Sequence, residues 1–434
     1  MGDDFHHNGA FFMMDAFAFY SVFGLPRPTL TTEWAQGYHF KTQDAYDFYL
    51  KKGSLKDIEK EVLKGNVAFY KDLENHPNYD AWWKARDVRA FVKNVKPAML
   101  IVGGLFDAED CWGALETYKA IEKMNPHTTN TLVEGPWFHG GWARSDGDHF
   151  GDIKFGSATS KWYNHNIELP FFMYYLKGVG NPNIPEALMF DIGADKWREF
   201  SAWPPVEGKQ KVLYFQPKGK LSFNQPKATS SYTEYVSDPK KPVPYQDGTR
   251  LQRTREYMID DQRFASRRPD ILVFETDELA DSITFAGPLN ANLFVSTTGS
   301  DADFVVKLID VYPDSLPNYK LNGKEVIIGG YQMLLRGEVM RARYRNSYEK
   351  PEAMTPGKVE NVKFYLPDVM HTFRKGHKIM IQVQSSWFPL VDRNPQQFVE
   401  SIYQAKDSDF QKATHKVYHQ EDAASSLIVT VLEK

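Results

Sequence analysis

The stretch Pro97-Ala98-Met99-Leu100-Ile101-Val102-Gly103-Gly104 decides the fold class. Ala98 to Val102 is a short apolar run closed by two glycines, the pattern of a β-strand buried on both faces. A helical stripe follows in residues 111–124 at Trp112, Leu115, Tyr118 and Ile121. A second short strand, Thr131-Leu132-Val133, ends at Gly135-Pro136. Strand, helix, strand at this spacing is a βαβ unit of a parallel sheet.

Working outward, residues 44–94 read as helices. Ser54-Leu55-Lys56-Asp57 resembles a capping box, Leu55, Ile58, Val62 and Leu63 share one helical face, and Gly65 is a stop signal. Residues 9–40 are aromatic and carry no clear period. An amphipathic helix over 159–177 is expected to kink at Pro170 and stop at Gly178. From about residue 185 the helical signal vanishes. Segments such as Lys211-Val212-Leu213-Tyr214-Phe215, Asp270-Ile271-Leu272-Val273-Phe274, Phe304-Val305-Val306-Lys307-Leu308-Ile309 and Lys378-Ile379-Met380-Ile381-Gln382-Val383 alternate with Gly, Pro and Asp turns. Many short strands at such intervals predict an all-β sandwich of roughly 240 residues.

Composition sets the outer bounds. The chain has 434 residues, too long for one ordinary core, with 42% hydrophobic, 25% charged and 15% aromatic residues. A net charge of -4 gives no general attraction to nucleic acid. No apolar run reaches the roughly 18 residues of a membrane helix. The single cysteine, Cys111, rules out an internal disulfide framework. Met1-Gly2-Asp3-Asp4-Phe5-His6-His7-Asn8 has neither the basic nor the apolar region of a secretory signal and no opening strand, so it reads as an entry into the middle of a domain.

Chemistry concentrates in two loops. Gly103-Gly104-Leu105-Phe106-Asp107-Ala108-Glu109-Asp110 and Gly135-Pro136-Trp137-Phe138-His139-Gly140-Gly141 both follow the C-terminal ends of consecutive strands, the edge where open α/β sheets build their sites. An aspartate and a histidine on adjacent loops there can pair, the carboxylate fixing the imidazole tautomer. Their order, acid before histidine, is that of a hydrolase triad. Alone, Asp107 could as well be a turn or helix-cap residue and His139 a structural one. Asp107, Glu109 and Asp110, with Asp3 and Asp4, also form an acidic cluster. Converging carboxylates call for a cation, either a substrate ammonium or a metal held with His6, His7 or His139. The spacing fits no established metal motif, and no metal or other cofactor is expected. No Gly-x-Ser-x-Gly occurs in the chain, so no nucleophile can be named.

The runs Gly104-Leu105-Phe106-Asp107-Ala108-Glu109-Asp110-Cys111-Trp112-Gly113, Gly135-Pro136-Trp137-Phe138-His139 and Gly2-Asp3-Asp4-Phe5-His6-His7-Asn8-Gly9-Ala10 resemble those of the CocE/NonD hydrolases. That group includes cocaine esterases, α-amino-acid ester hydrolases, cephalosporin acylases and relatives of X-Pro dipeptidyl-peptidase. The later runs 261–270, 301–311 and 385–395 resemble its C-terminal jelly roll. The resemblance implies part of an α/β-hydrolase domain over residues 1–190, with a helical cap at about 40–95, and a jelly-roll sandwich over 191–434. It implies Asp107 as triad acid and His139 as triad base. Asp4, Glu109 and Asp110 would bind a substrate α-ammonium group, with Asp3 the weaker candidate.

The nucleophile elbow and the oxyanion tyrosine of the family lie upstream of the Gly-Asp-Asp loop. The expectation is therefore an N-terminally shortened chain, inactive alone, with an unpaired apolar sheet edge. The implied substrate is a small ester or amide with a free α-amine; no nucleic acid or membrane is expected, and homo-oligomerisation stays open. The resemblance points to the periplasm or the cell exterior. Two alternatives stand beside it: a non-catalytic jelly roll binding carbohydrate or a partner, and a metal hydrolase built on the acid and histidine cluster.

Overall fold

In the computed structural model, which describes residues 2–433, the βαβ unit stands as expected. Strand β1 (Met99–Gly104) runs parallel to β2 (Asn130–Gly135) in register, Gly103 opposite Glu134 and Gly104 opposite Gly135. The helix Cys111–Met124 makes the crossover. Two further strands, β3 (Ala187–Asp191) and β4 (Lys196–Phe200), complete a four-stranded sheet in the order β1-β2-β3-β4. By strand pairing, the last strand of the small sheet ends at Phe200 and the first strand of the large sheet begins at Lys209.

The expectation that β1 is buried on both faces is corrected. Met99 to Val102 are only half-buried, whereas every residue of β2 is buried. The cause is position. β1 is the sheet's edge, and among the described residues nothing pairs with its outer side. An apolar strand with one row of unpaired N–H and C=O groups is an open template for another strand. The last helix before β3 is similarly bare: Leu169–Lys177 follows a π-helical turn at Asn164–Glu168, has Pro170 in its first turn and ends at Gly178 in the left-handed conformation. Phe171 is its one buried residue.

The rest of the chain forms a large, mainly antiparallel β-domain of twelve strands. Its strand β5 (Asp303–Val311) pairs with β6 (Gln332–Arg341). Alternation assigns their two faces to two cores. Phe304, Val306 and Leu308 join Leu105, Phe106, Leu132 and Phe190 of the small-sheet unit in one core. Val305 and Ile309 face a second core with Tyr49, Leu55, Ile58 and Tyr70 from the helices. This explains why the 304–309 run is nearly all apolar.

The helical region is short pieces, Ala45–Lys52, Leu55–Val62, Ala68–Asn75 and a single turn at Ala81–Lys84. Ser54 caps the second of these, accepting from the Asp57 N–H at 3.3 Å. One helix was not legible. Met13–Tyr20 lies inside the stretch expected to be irregular. Its sequence, Met-Met-Asp-Ala-Phe-Ala-Phe-Tyr, has one polar residue, so there is no polar face against which a helical period could show.

Candidate active site

The site is assembled where the loops after β1 and β2 meet. They are zipped together by main chain: Leu105 N–H donates to the Gly135 carbonyl at 2.8 Å and Phe106 N–H to the Trp137 carbonyl at 3.0 Å. Gly104 makes this approach possible. A Cβ there would sit 2.3 Å from the Trp137 carbonyl oxygen, so no larger residue fits without moving backbone. The Trp137 ring is buried and donates through Nε1 to Thr159 Oγ1 at 2.9 Å, which anchors the second loop.

On this scaffold Asp107 and His139 meet. His139 Nδ1 lies 3.1 Å from Asp107 Oδ2. The other oxygen, Oδ1, accepts the N–H groups of Glu109 at 2.8 Å and Asp110 at 3.0 Å. The two oxygens of Asp107 divide their contacts: one closes the turn and the other faces the histidine. Asp107 is 3% exposed and His139 36%, so the acid is sequestered and the base opens outward. Nε2 of His139 has Glu109 Oε2 at 3.8 Å. An imidazole held through Nδ1 with Nε2 accessible is set to take a proton from a nucleophile.

The acidic cluster gathers around this pair. Asp110 Oδ2 lies 3.2 Å from His139 Nδ1. Burial, then the nearby Asp107 and Glu109 charges, push the Asp110 carboxyl up, against the pull of His139. Asp4 sits in a tight turn at φ 56. Its carboxyl is pushed up to about 6, first by desolvation and then by Asp110 and Glu109, so the three carboxylates share one electrostatic neighbourhood. Asp3 goes elsewhere. Its oxygens accept the N–H groups of Trp112 at 3.1 Å and Gly113 at 2.5 Å, capping the helix Cys111–Met124 from outside its own segment. His6 and His7 are committed too, His6 to Tyr403 at 2.7 Å and His7 to Glu338 at 3.2 Å. Ligand atoms of Asp107, Asp110 and His139 lie within 4.8 Å of one another, close enough for one ion. Two of these three groups are already hydrogen-bonded to each other.

Two neighbours of the site carry no signal in the sequence. Arg253, 8% exposed in a loop of the β-domain, donates to Glu109 Oε1 at 2.6 Å and pairs with Asp15 through Nε. Arg336, on β6, reaches the acid loop itself and donates to the Leu105 carbonyl at 2.6 Å. Glu134 on β2 is fully buried with both carboxyl oxygens unpartnered, and burial drives its carboxyl far above the usual range, opposed mainly by Arg336. Neither arginine stands in a recognisable motif, and each contact spans more than a hundred residues of chain.

Residues 2–141 match the X-Pro dipeptidyl-peptidase (S15) family and residues 181–428 match the X-Pro dipeptidyl-peptidase C-terminal non-catalytic domain. The cocaine esterase of Rhodococcus sp. (strain MB1 Bresler) is 27% identical over 377 residues, covering 82% of this chain and 62% of its own. An aminopeptidase from the marine sediment archaeon Thaumarchaeota archaeon superposes with a TM-score of 0.92 at 38% identity, over 100% of this chain and 70% of that one. An α-amino-acid ester hydrolase superposes with a TM-score of 0.92 at 35% identity, over 99% and 70%. The chain thus spans 62% of the length of the cocaine esterase and 70% of each of the two structural relatives. Sequence, fold and loop geometry converge: the chain belongs to the CocE/NonD family of serine hydrolases, related to X-Pro dipeptidyl-peptidase.

Proposed function

We propose that this chain supplies the acid and the base of a Ser-Asp-His triad that hydrolyses esters or amides whose acyl part carries a free α-amine. In this reading residues 1–190 are the acid- and base-bearing part of an α/β-hydrolase domain and residues 191–434 are its jelly roll. The carrying observation is the Asp107–His139 contact of 3.1 Å, fixed on the acid side by two backbone N–H groups. A serine from outside residues 1–434 attacks the carbonyl, and His139 Nε2 takes its proton and returns it to the leaving group. Asp107 holds the tautomer and stabilises the imidazolium.

Asp4, Glu109 and Asp110 take the ammonium group. Their mutual repulsion is relieved by a bound cation, and ionic hydrogen bonds place the carbonyl against the nucleophile. The amine preference is supported by the two structural relatives, both named for substrates with an α-amino group and both far closer to this chain than the cocaine esterase.

Two measurements test the reading. Calorimetry on the chain should show binding of an α-amino-acid methyl ester and none of its N-acetylated form; equal heats from both would remove the amine subsite. Mixed with a polypeptide bearing the nucleophile elbow, the chain should gain ester turnover, and His139→Ala should lower it by about 10⁴-fold or more. Turnover that survives His139→Ala would sink the triad.

A further inference from the structure

The β-domain carries a description as non-catalytic, yet one of its side chains is built into the loop that bears the acid. We propose that Arg336 is a positioning residue for Asp107, through which the β-domain fixes the geometry of the acid–histidine pair. The inference rests on the proposed triad and goes one step beyond it.

Arg336 lies on β6 with 1% of its surface exposed, among the largest fully buried side chains of the protein. A guanidinium at that depth usually pairs with carboxylates, as Arg341 does with Asp303 and Asp392 in the same strand. Arg336 does not. Its donated hydrogen bonds all go to main-chain carbonyls: Nη1 to Leu105 at 2.6 Å and Leu335 at 2.5 Å, and Nε to Asp368 at 2.7 Å. The Leu105 carbonyl is the one contact made across the two units, and it lies two residues ahead of Asp107.

The placement matters because of what else holds that turn. The N–H groups of Leu105, Phe106 and Asp107 are bonded to Gly135, Trp137 and Gly104. The first two bonds tie the acid loop to the histidine loop and the third closes the turn within the acid loop; none of the three reaches the β-domain. From the β-domain Arg253 holds the Glu109 side chain, whereas Arg336 grips the main chain of the acid loop with a planar, permanently charged group, whose fork presents donors in fixed directions. The charge has a second use. Glu134, buried beside Gly103 with both oxygens unpartnered, counts Arg336 as its main favourable neighbour, and Asp107 as a repulsive one. Arg336 is therefore the neighbour that most opposes the burial effect on the Glu134 carboxyl while gripping the loop backbone.

The test uses the chain as it is, labelled with ¹⁵N-histidine, and reads the ring tautomer of His139, assigned by loss of its signals in His139→Gln. In the parent, Nδ1, which faces Asp107, is expected to carry the proton. Asp107→Asn, with a donor in place of an acceptor, should reverse the preference. Arg336→Met should lower the tautomer ratio about tenfold, the loss expected when one hydrogen bond's preference is blurred. Arg336→Lys keeps the charge and one donor but not the fork, and should fall between the two. It also serves if the methionine variant does not fold.

A role confined to stability would lower the unfolding temperature and leave the His139 signals of the folded variants unchanged. That result, with Asp107→Asn still shifted, overturns the proposal and spares the triad. If Asp107→Asn is silent as well, the triad reading itself falls.

Discussion

The Arg253 guanidinium donates to Glu109 at 2.6 Å and, through its Nε, grips Asp15 from the helix Met13–Tyr20. A loop of the β-domain, the acid loop and an N-terminal helix are thereby joined at one cation beside His139. Glu109 is thus only partly available to a ligand, and its free oxygen is the one that points toward His139 Nε2.

Replacing Arg253 by Met should destabilise the protein and loosen Glu109. The pair lies between the exposed class, worth up to about 1 kcal/mol, and the buried class, where removing one partner costs 3–5 kcal/mol. With Arg253 8% exposed and its partners 25% and 34%, a loss of about 2 kcal/mol is expected in urea unfolding. A loss near zero would show that the clamp is not formed in solution.

Gly104→Ala should be worse than its small size suggests. The new methyl meets a carbonyl oxygen at 2.3 Å, and backbone cannot swing aside as a side chain can. The two site loops must separate, at a cost of about 2 kcal/mol or more, within the range for strained or overpacked sites. Thermal unfolding measures the cost. Alanine at Gly178 is the contrast: Gly178, unlike Gly104, has positive φ but has open space around its Cβ position, so only backbone strain of about 1 kcal/mol applies.

Binding of an amine ligand should depend on pH through Asp4. Its carboxyl is pushed up to about 6, so it is ionised above that pH and increasingly neutral below it. Affinity for an α-amino-acid ester should therefore be highest near pH 7, where Asp4 is ionised and the amine still protonated, and weaken as pH falls through about 6. Asp4→Asn should bind more weakly and lose that step. Calorimetry at several pH values decides it; an unchanged step in the variant assigns the titration to another group.

Lys307 gives a stability signature of opposite kind. It is fully buried on β5, donates only to Gln262 Oε1 at 2.9 Å, and desolvation lowers its ammonium to about 7. The folded value is depressed below the unfolded 10.5, so the unfolded chain holds the proton more tightly between the two. Folding stability should rise with pH from about 7 toward 10.5, by at most about 1.4 kcal/mol per pH unit from this group. Lys307→Met lacks the titrating group, and the difference between parent and variant, measured by urea unfolding at pH 7, 8 and 9, isolates the effect. A constant difference would show that Lys307 keeps its proton in the fold.

The chain's own sequence determined the βαβ unit and the two residues at its heart. Asp107 and His139 were legible because each follows a short apolar run with glycine punctuation, and a buried parallel strand delivers its next loop to the sheet's C-terminal edge whatever surrounds it. Glu109 and Asp110 came with Asp107, being fixed to it by a local turn. The same locality made Ser54 readable as a cap. What the tertiary structure alone decided lies at long range.

Burial of Met99–Val102 depends on what stands beside β1, and a run of apolar letters cannot say whether a strand is central or at an edge. Asp3 reads as one more acid of a cluster until the helix Cys111–Met124 is seen ending on it. Arg253 and Arg336 meet the site across 144 and 231 residues of chain. Neither has a local pattern, because the only thing specifying its partner is how two separate cores pack. Periodicity is a property of neighbours along the chain, while a hydrogen bond to a distant carbonyl exists only once the fold has brought both ends together.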